Sequence, residues 1–275
     1  MGSTGWRCAC NLRDEPVDAE RLFDLTGQIA LVTGASGGLG RAIALAYAGH
    51  GADLVLADHD RATCEPVAAE CRALGRRAHA LCADLAEPPQ VERLAIEAQA
   101  AFGRIDTLVC NAGMQGPAGP LHQIDDPAWQ TVFQVNLRSA HALAARLVPP
   151  MAERGHGSVI LMASIAGLRG NRSIGLYGLT KAALAQLARN LAVEWGPRGV
   201  RVNAISPGLI RTPLARALLA DDDFMQRRLG LTPLRRIGEP HEIAGVAVML
   251  ASRAGAFITG QNLVVDGGTT ISDGA

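Results

Sequence analysis

Seven short apolar runs, each followed by a stretch of different rhythm, constrain this chain more than any other feature. They are IALVT at 29–33, DLVLAD at 53–58, AHALCA at 78–83, DTLVC at 106–110, SVILMA at 158–163, VRVNAI at 200–205 and NLVVD at 262–266. Their apolar residues are consecutive rather than alternate, as in strands covered on both faces. Alanine- and leucine-rich segments of helical composition, such as 40–49, 61–74 and 89–102, lie between them. Strands of this kind joined by helices predict an α/β fold: a seven-stranded parallel sheet, doubly wound through right-handed crossovers, with helices on both faces. The 275 residues, 48% hydrophobic, suit one large domain. Residues 1–24 are polar and aperiodic and read as a loose extension, leaving 25–275 as the domain. The segment 208–238 breaks the rhythm and reads as a substrate lid.

Composition excludes several classes. The 26 basic and 26 acidic residues cancel, whereas a nucleic-acid protein carries a basic excess. No run approaches the length of a membrane span, and MGSTGWRCACNLRDEP at the start lacks the apolar centre of a secretory signal. The six cysteines form no regular framework, so reduced thiols in a cytoplasmic protein are expected. Cys8 and Cys10 lack a second pair or a histidine at zinc spacing, and no metal site is expected. Trp129 and Phe133, four apart, read as helix packing.

Lys181 is the only lysine; every other basic residue is arginine. A position that keeps lysine in such a chain points to a need for a compact ammonium of tunable pKa. Tyrosine is nearly as scarce, with only Tyr47 and Tyr177, and Tyr177 stands four residues before that lysine.

The first apolar run ends in Thr33-Gly34-Ala35-Ser36-Gly37-Gly38-Leu39-Gly40. Glycines 34, 38 and 40 allow a tight turn and close approach of a pyrophosphate. The helix that follows offers free N–H groups and a partial positive charge. Asp58 ends the second run, about 20 residues further on. A carboxylate there can accept both adenine-ribose hydroxyls and repel a 2′-phosphate, so NAD is expected rather than NADP. Arg41 and Arg61 are nearby positive charges that favour the opposite. Asp58 could instead cap a helix, as Asp60 equally could.

Taken in order, TGASGGLG at 33–40, Asp84-Leu85, Asn111-Ala112-Gly113, Asn136, Ser164, Tyr177-Gly-Leu-Thr-Lys181 and Pro207-Gly208 followed by Thr212 resemble the short-chain dehydrogenase/reductase family. The resemblance is to its principal subfamily of about 250 residues, and it covers about residues 25–269, with Ser164 and Tyr177 at the family's spacing. It implies a Rossmann fold, a nicotinamide cofactor and catalytic roles for Asn136, Ser164, Tyr177 and Lys181. Asn136 would hold a water linking Lys181 to solvent. The resemblance also implies cofactor contacts from Gly34, Ser36, Gly38, Leu39 and Gly40 in the turn, and from Asp58. Asp84 and Leu85 would meet the adenine, with Asn111 and Gly113 lining the adenosine side. Tyr177, Lys181, Pro207, Gly208, Ile210 and Thr212 complete the set, with Lys181 on the nicotinamide ribose and Thr212 on the carboxamide. Relatives are commonly homotetramers, which the tail GAFITGQNLVVDGG at 255–268 resembles.

The chemistry also follows from the residues. On a helix, Tyr177 and Lys181 share one face. A free tyrosine is only about 0.1% phenolate at pH 7, and lowering its pKa by about three units requires about 4 kcal/mol. The Lys181 ammonium and a positive nicotinamide ring can share that work in a water-poor site. Tyr177 would exchange the alcohol proton while Ser164 holds the substrate oxygen.

The substrate should be a secondary alcohol or its ketone. Arg169 and Arg172, between Ser164 and Tyr177, could clamp a carboxylate, with Gln115 and His156 as further polar contacts. A small hydroxy acid, sugar acid or polyol is therefore expected, and LFDLTGQIALVTG at 22–34 resembles relatives acting on gluconate and keto-deoxy sugar acids. Both arginines could equally face solvent or a neighbouring subunit. Two other functions compete. A 3-oxoacyl-thioester (acyl-carrier-protein) reductase would use NADPH, against Asp58. A non-catalytic NAD-sensing protein need not keep all four catalytic positions, which are filled here.

Overall fold

A computed structural model describes residues 18–272. Among them the seven apolar runs form seven strands: β1 Ile29–Thr33, β2 Asp53–Asp58, β3 Ala78–Cys82, β4 Thr107–Cys110, β5 Gly157–Met162, β6 Val200–Pro207 and β7 Asn262–Val265. They pair in parallel as one sheet in the order β3-β2-β1-β4-β5-β6-β7. The order reverses direction between β1 and β4, which opens a crevice at their carboxyl ends.

Each inner strand is apolar throughout because it feeds two cores at once. Leu31, Leu108 and Val159 point to one cluster, and their successors Val32, Val109 and Ile160 point to the other. The helices α1 Gly38–Gly49, α2 Arg61–Ala73 and α3 Pro88–Phe102 follow β1, β2 and β3. Beyond β4 come α4 Asp126–Phe133, a π-helical turn Gln134–Arg138 and α5 Ser139–Glu153. Later in the chain lie α6 Gly175–Trp195, α7 Arg216–Leu219, α8 Asp222–Gly230 and α9 Pro240–Ala251. The first face is covered by α3, α5 and α6 through Leu94, Leu147 and Leu184; the second by α1, α2 and α9 through Ile43, Val67 and Val248. Each such side chain contributes about 1.5–3 kcal/mol when fully buried. Tyr47, one of the two tyrosines, is structural: wholly buried, it donates 3.0 Å to the Ala247 carbonyl and ties α1 to α9.

Residues 1–17 lie outside the described part, including Cys8 and Cys10. Within 18–24 there is a 3₁₀ turn at Ala19–Arg21, and the Leu22 carbonyl accepts the Ala254 N–H at 2.9 Å. The segment 208–238 forms a 3₁₀ turn at Pro213–Ala215 and then α7 and α8. It lies beside the crevice, whose wall includes Thr212, Leu218 and Phe224.

Candidate active site

A cavity of about 900 Å³ runs along the carboxyl ends of the strands, from Asp58 past Ser164 and Tyr177 to the segment 208–238. Its floor is the turn after β1. Gly34 and Gly38 adopt φ of 65° and 52°, which side-chain-bearing residues rarely do. A Cβ on Gly40 would overlap the Gly34 carbonyl oxygen, so the first turn of α1 closes tightly onto the loop. The α1 N-terminus has no side-chain cap and no acidic residue in its first turn, leaving its N–H groups for an anion. Asn111 lines the cavity, but its side-chain amide donates to the Thr33 and Gly34 carbonyls at 2.9 and 3.1 Å, pinning β4 to the turn.

At one end stands Asp58. One oxygen accepts the Ser36 backbone N–H at 3.0 Å and its hydroxyl at 2.6 Å; the other accepts the His59 N–H at 2.8 Å and meets its ring Nδ1 at 2.7 Å. Burial raises its pKa, but the bonds from Ser36 and then His59 outweigh that and hold the carboxyl below the usual range. Arg41, which could have served a 2′-phosphate, pairs with Glu70 instead. Asp84 and Leu85 also line this cavity, and Asp84 caps the next turn by accepting the Ala86 N–H at 2.9 Å. These features fit a dinucleotide: a pyrophosphate cradle with an acidic group where its ribose would end.

Ser164, Tyr177 and Lys181 converge deeper in the cavity. Ser164 follows β5 and caps a 3₁₀ turn, accepting the Ala166 N–H at 3.1 Å, and its side chain is near enough to lower the Tyr177 phenol. Tyr177 and Lys181 lie one turn apart on α6, with the ammonium 5.3 Å from the ring centre. Lys181 is buried and donates 2.7 Å to the Met162 carbonyl. Burial pulls its ammonium down to about 8, with Cys110 acting weakly in the opposite sense.

The lowering expected for the Tyr177 phenol depends on a bound nicotinamide as well as on Lys181. Burial pushes the phenol's pKa above the ordinary value, and the Ser164 side chain draws it back only in part. The reason is desolvation of the would-be phenolate in a mostly apolar wall.

Asn136 sits in the π-helical turn, a local irregularity that often marks functional sites. Its side chain accepts the Met114 N–H at 2.8 Å, donates to the Met114 carbonyl at 2.8 Å and donates to Thr180 Oγ1 at 3.0 Å. It therefore holds the irregular segment that follows Gly113 against α6. A Cβ on Gly113 would stand 3.2 Å from Asn136 Oδ1 and 3.3 Å from Lys181 Nζ, so this glycine adjoins the lysine.

Pro207, Gly208, Ile210 and Thr212 wall the cavity where β6 leads into the segment 208–238, and Gln115 and Arg169 also line it. Arg172 does not. It is exposed and outside the cavity wall, because Asn171 accepts the Ser173 and Ile174 N–H groups and turns the loop at that point. His156 precedes β5, at the opposite end of that strand from Ser164. In their place the structure brings Arg228 of α8 to the cavity. Its signal in the sequence is slight: Phe224 and Arg228, four apart, share a helix face.

Comparison with known proteins agrees with this geometry. The family model described as Enoyl-(Acyl carrier protein) reductase matches residues 34–270. An uncharacterized oxidoreductase of Mycobacterium tuberculosis (strain CDC 1551 / Oshkosh) is 44% identical over 250 residues, covering 90% of this chain and 94% of the relative. The cis-4-hydroxycyclohexanecarboxylate dehydrogenase of Sinomonas cyclohexanicum is 36% identical over 243 residues, covering 88% and 96%. The crystal structure of a gluconate 5-dehydrogenase from Burkholderia cenocepacia J2315, in complex with NADP and tartrate, superposes with a TM-score of 0.88 at 34% identity, covering 92% and 99%.

Proposed function

Because the chain belongs to the short-chain dehydrogenase/reductase family, we propose that it interconverts a secondary alcohol and its ketone on a small hydroxy acid or sugar acid, with NAD preferred over NADP. One observation carries the reading: Ser164, Tyr177 and Lys181 meet in the same cavity whose far end holds the glycine turn and Asp58.

Each group has a task suited to its position. Ser164 Oγ, held by the Ala166 N–H and close to Tyr177, places the substrate oxygen beside the phenol. Tyr177 takes the alcohol proton in oxidation and returns it in reduction. Lys181 supplies a positive charge 5.3 Å from the ring, in a place where water does not screen it. A bound oxidised nicotinamide would add a second positive charge beside the phenol until it accepts the hydride and becomes neutral. Asn136 keeps Met114 and Thr180 in register around the lysine and is a positioning residue.

The acid group rests on Arg169 in the cavity wall and on similarity to dehydrogenases of gluconate and of a hydroxycyclohexane carboxylate. NAD rests on Asp58, whose carboxylate would repel a 2′-phosphate, whereas the gluconate 5-dehydrogenase structure holds NADP. The test is formation of reduced nicotinamide with sugar acids, cyclic hydroxy acids, polyols and hydroxyacyl thioesters, each with NAD and with NADP. Turnover of a hydroxy acid with NAD is the expected result. Turnover confined to a thioester with NADP would overturn both assignments.

A further inference from the structure

Arginines in this protein are commonly engaged by carboxylates: Arg41 with Glu70, Arg72 with Glu65, Arg146 with Glu92, Arg211 with Glu239 and Arg236 with Glu242. Two arginines on the cavity wall are not. Arg169 stands on the loop after Ser164, and Arg228 stands on α8 in the lid. Neither guanidinium has a hydrogen-bond or ion-pair partner among the described residues, and Arg228 Nε is fully shielded from solvent. Asp266 is near enough to attract Arg228, but its two oxygens are taken by the Gly268 and Thr270 N–H groups at 2.8 and 2.7 Å.

The two guanidiniums are also close enough to repel. Burial first, and then the charge of Arg169, pull Arg228 down to about 10, against the pull of Asp266. A half-buried cation with no partner, facing a second cation, is costly. An anion between them would relieve both the desolvation and the repulsion. Phe224, one turn earlier on α8, lines the same cavity and strengthens any charge pairing there by excluding water.

We propose that Arg169 and Arg228 together bind the carboxylate of the substrate, with Arg228 as the specificity-determining residue that the lid contributes. This rests on the hydroxy-acid reading above. It replaces the pairing of Arg169 with Arg172 that sequence proximity suggests by a pairing across two separate segments. Because one arginine belongs to the lid and the other to the loop behind Ser164, an acidic substrate links the two. Its carboxylate end is then fixed while its alcohol faces Tyr177.

The test uses the full-length protein saturated with oxidised nicotinamide cofactor. Binding of cyclohexanecarboxylate and of its neutral amide is measured by calorimetry in the wild type and in Arg228→Gln, Arg228→Lys and Arg169→Gln. The wild type should prefer the carboxylate. Arg228→Gln should weaken carboxylate binding roughly ten- to a hundredfold, the usual scale for a charged hydrogen bond, and leave the amide unmoved. Arg228→Lys, which keeps the charge, should recover part of the loss. Equal weakening of acid and amide, or no carboxylate preference in the wild type, would overturn the clamp. Oxidation of cis-4-hydroxycyclohexanecarboxylate separates this from the wider reading. Carboxylate-selective binding lost in Arg228→Gln, with no hydroxy acid oxidised, keeps the clamp and removes the proposed substrate. Oxidation with KM unchanged in Arg228→Gln keeps the substrate and removes the clamp.

Discussion

Lys181 lies with its ammonium 5.3 Å from the centre of the Tyr177 ring, yet its hydrogen bond goes elsewhere, 2.7 Å to the Met162 carbonyl at the end of β5. The lysine thus acts on the phenol as a fixed charge rather than as a hydrogen-bond donor. Holding that charge inside the protein is itself unfavourable, since burial lowers the ammonium to about 8. In the proposed function this destabilising group stays in place for a chemical purpose.

Replacing Lys181 by methionine tests that trade. Its folded pKa of about 8 lies below the ordinary 10.5. The unfolded chain therefore binds more protons between those values, and wild-type stability rises with pH across that window. Below pH 8 the penalty is fully present, so Lys181→Met should be the more stable protein there, by up to about 3 kcal/mol. That gain should fade as pH climbs to 10.5, while turnover falls roughly a hundredfold or more at every pH. Urea unfolding at several pH values is the measurement; a variant less stable than wild type at neutral pH would contradict it.

Tyrosine ionisation gives a second check. Both tyrosines, Tyr47 and Tyr177, are shifted upward by burial. The cofactor-free folded protein should therefore show less phenolate absorbance at pH 10 than two ordinary tyrosines, each half ionised there. Tyr177→Phe should leave the absorbance near neutral pH unchanged yet cost roughly a hundred- to ten-thousandfold in kcat. A phenolate signal near neutral pH that disappears in Tyr177→Phe would show the chain alone to activate the residue.

Cofactor choice should hinge on Asp58. Its carboxylate is half-buried and held ionised by Ser36 and His59. Two like charges brought together at an interface cost several kcal/mol. Asp58→Ala should lower the NAD-to-NADP ratio of kcat/KM at least about tenfold. An unchanged ratio would remove Asp58 from cofactor selection.

The same substitution at two glycines should have opposite signs. A Cβ at Gly40 meets the Gly34 carbonyl and the Asn111 amide, whereas one at Gly245, on the exposed side of α9, meets nothing within 4 Å. Gly40→Ala should cost about 1–3 kcal/mol through overpacking, and Gly245→Ala should gain about 0.5–1 kcal/mol through helix propensity. Thermal unfolding of both reads the difference; a harmless Gly40→Ala would mean the turn is looser than its geometry indicates.

The strands could be read closely from the sequence because each apolar run is a local pattern. Six of the seven ends that face the cavity fall within one residue of the runs, while β6 continues to Pro207, where the Gly208 N–H joins the Val265 carbonyl. The glycine turn, Asp58 and the Tyr177–Lys181 pair were legible for a similar reason, since each depends on a short spacing within one strand–turn–helix unit or one helix. Arg172 was misleading because proximity in a loop does not state which side chain faces inward; the turn at Asn171 decides that.

By itself, then, the sequence determined the alternation that makes a doubly wound sheet, the cradle after β1 and the residues able to move a proton. Only the tertiary structure decided that Asn136 spends its amide on Met114 and Thr180, that burial raises the Tyr177 phenol in the cofactor-free chain, and that Arg228 lines the same cavity as Arg169. Each of these depends on how much water is excluded, or on which distant segment packs alongside. Periodicity and spacing carry neither kind of information, because desolvation and contact between remote elements arise only when the chain is folded.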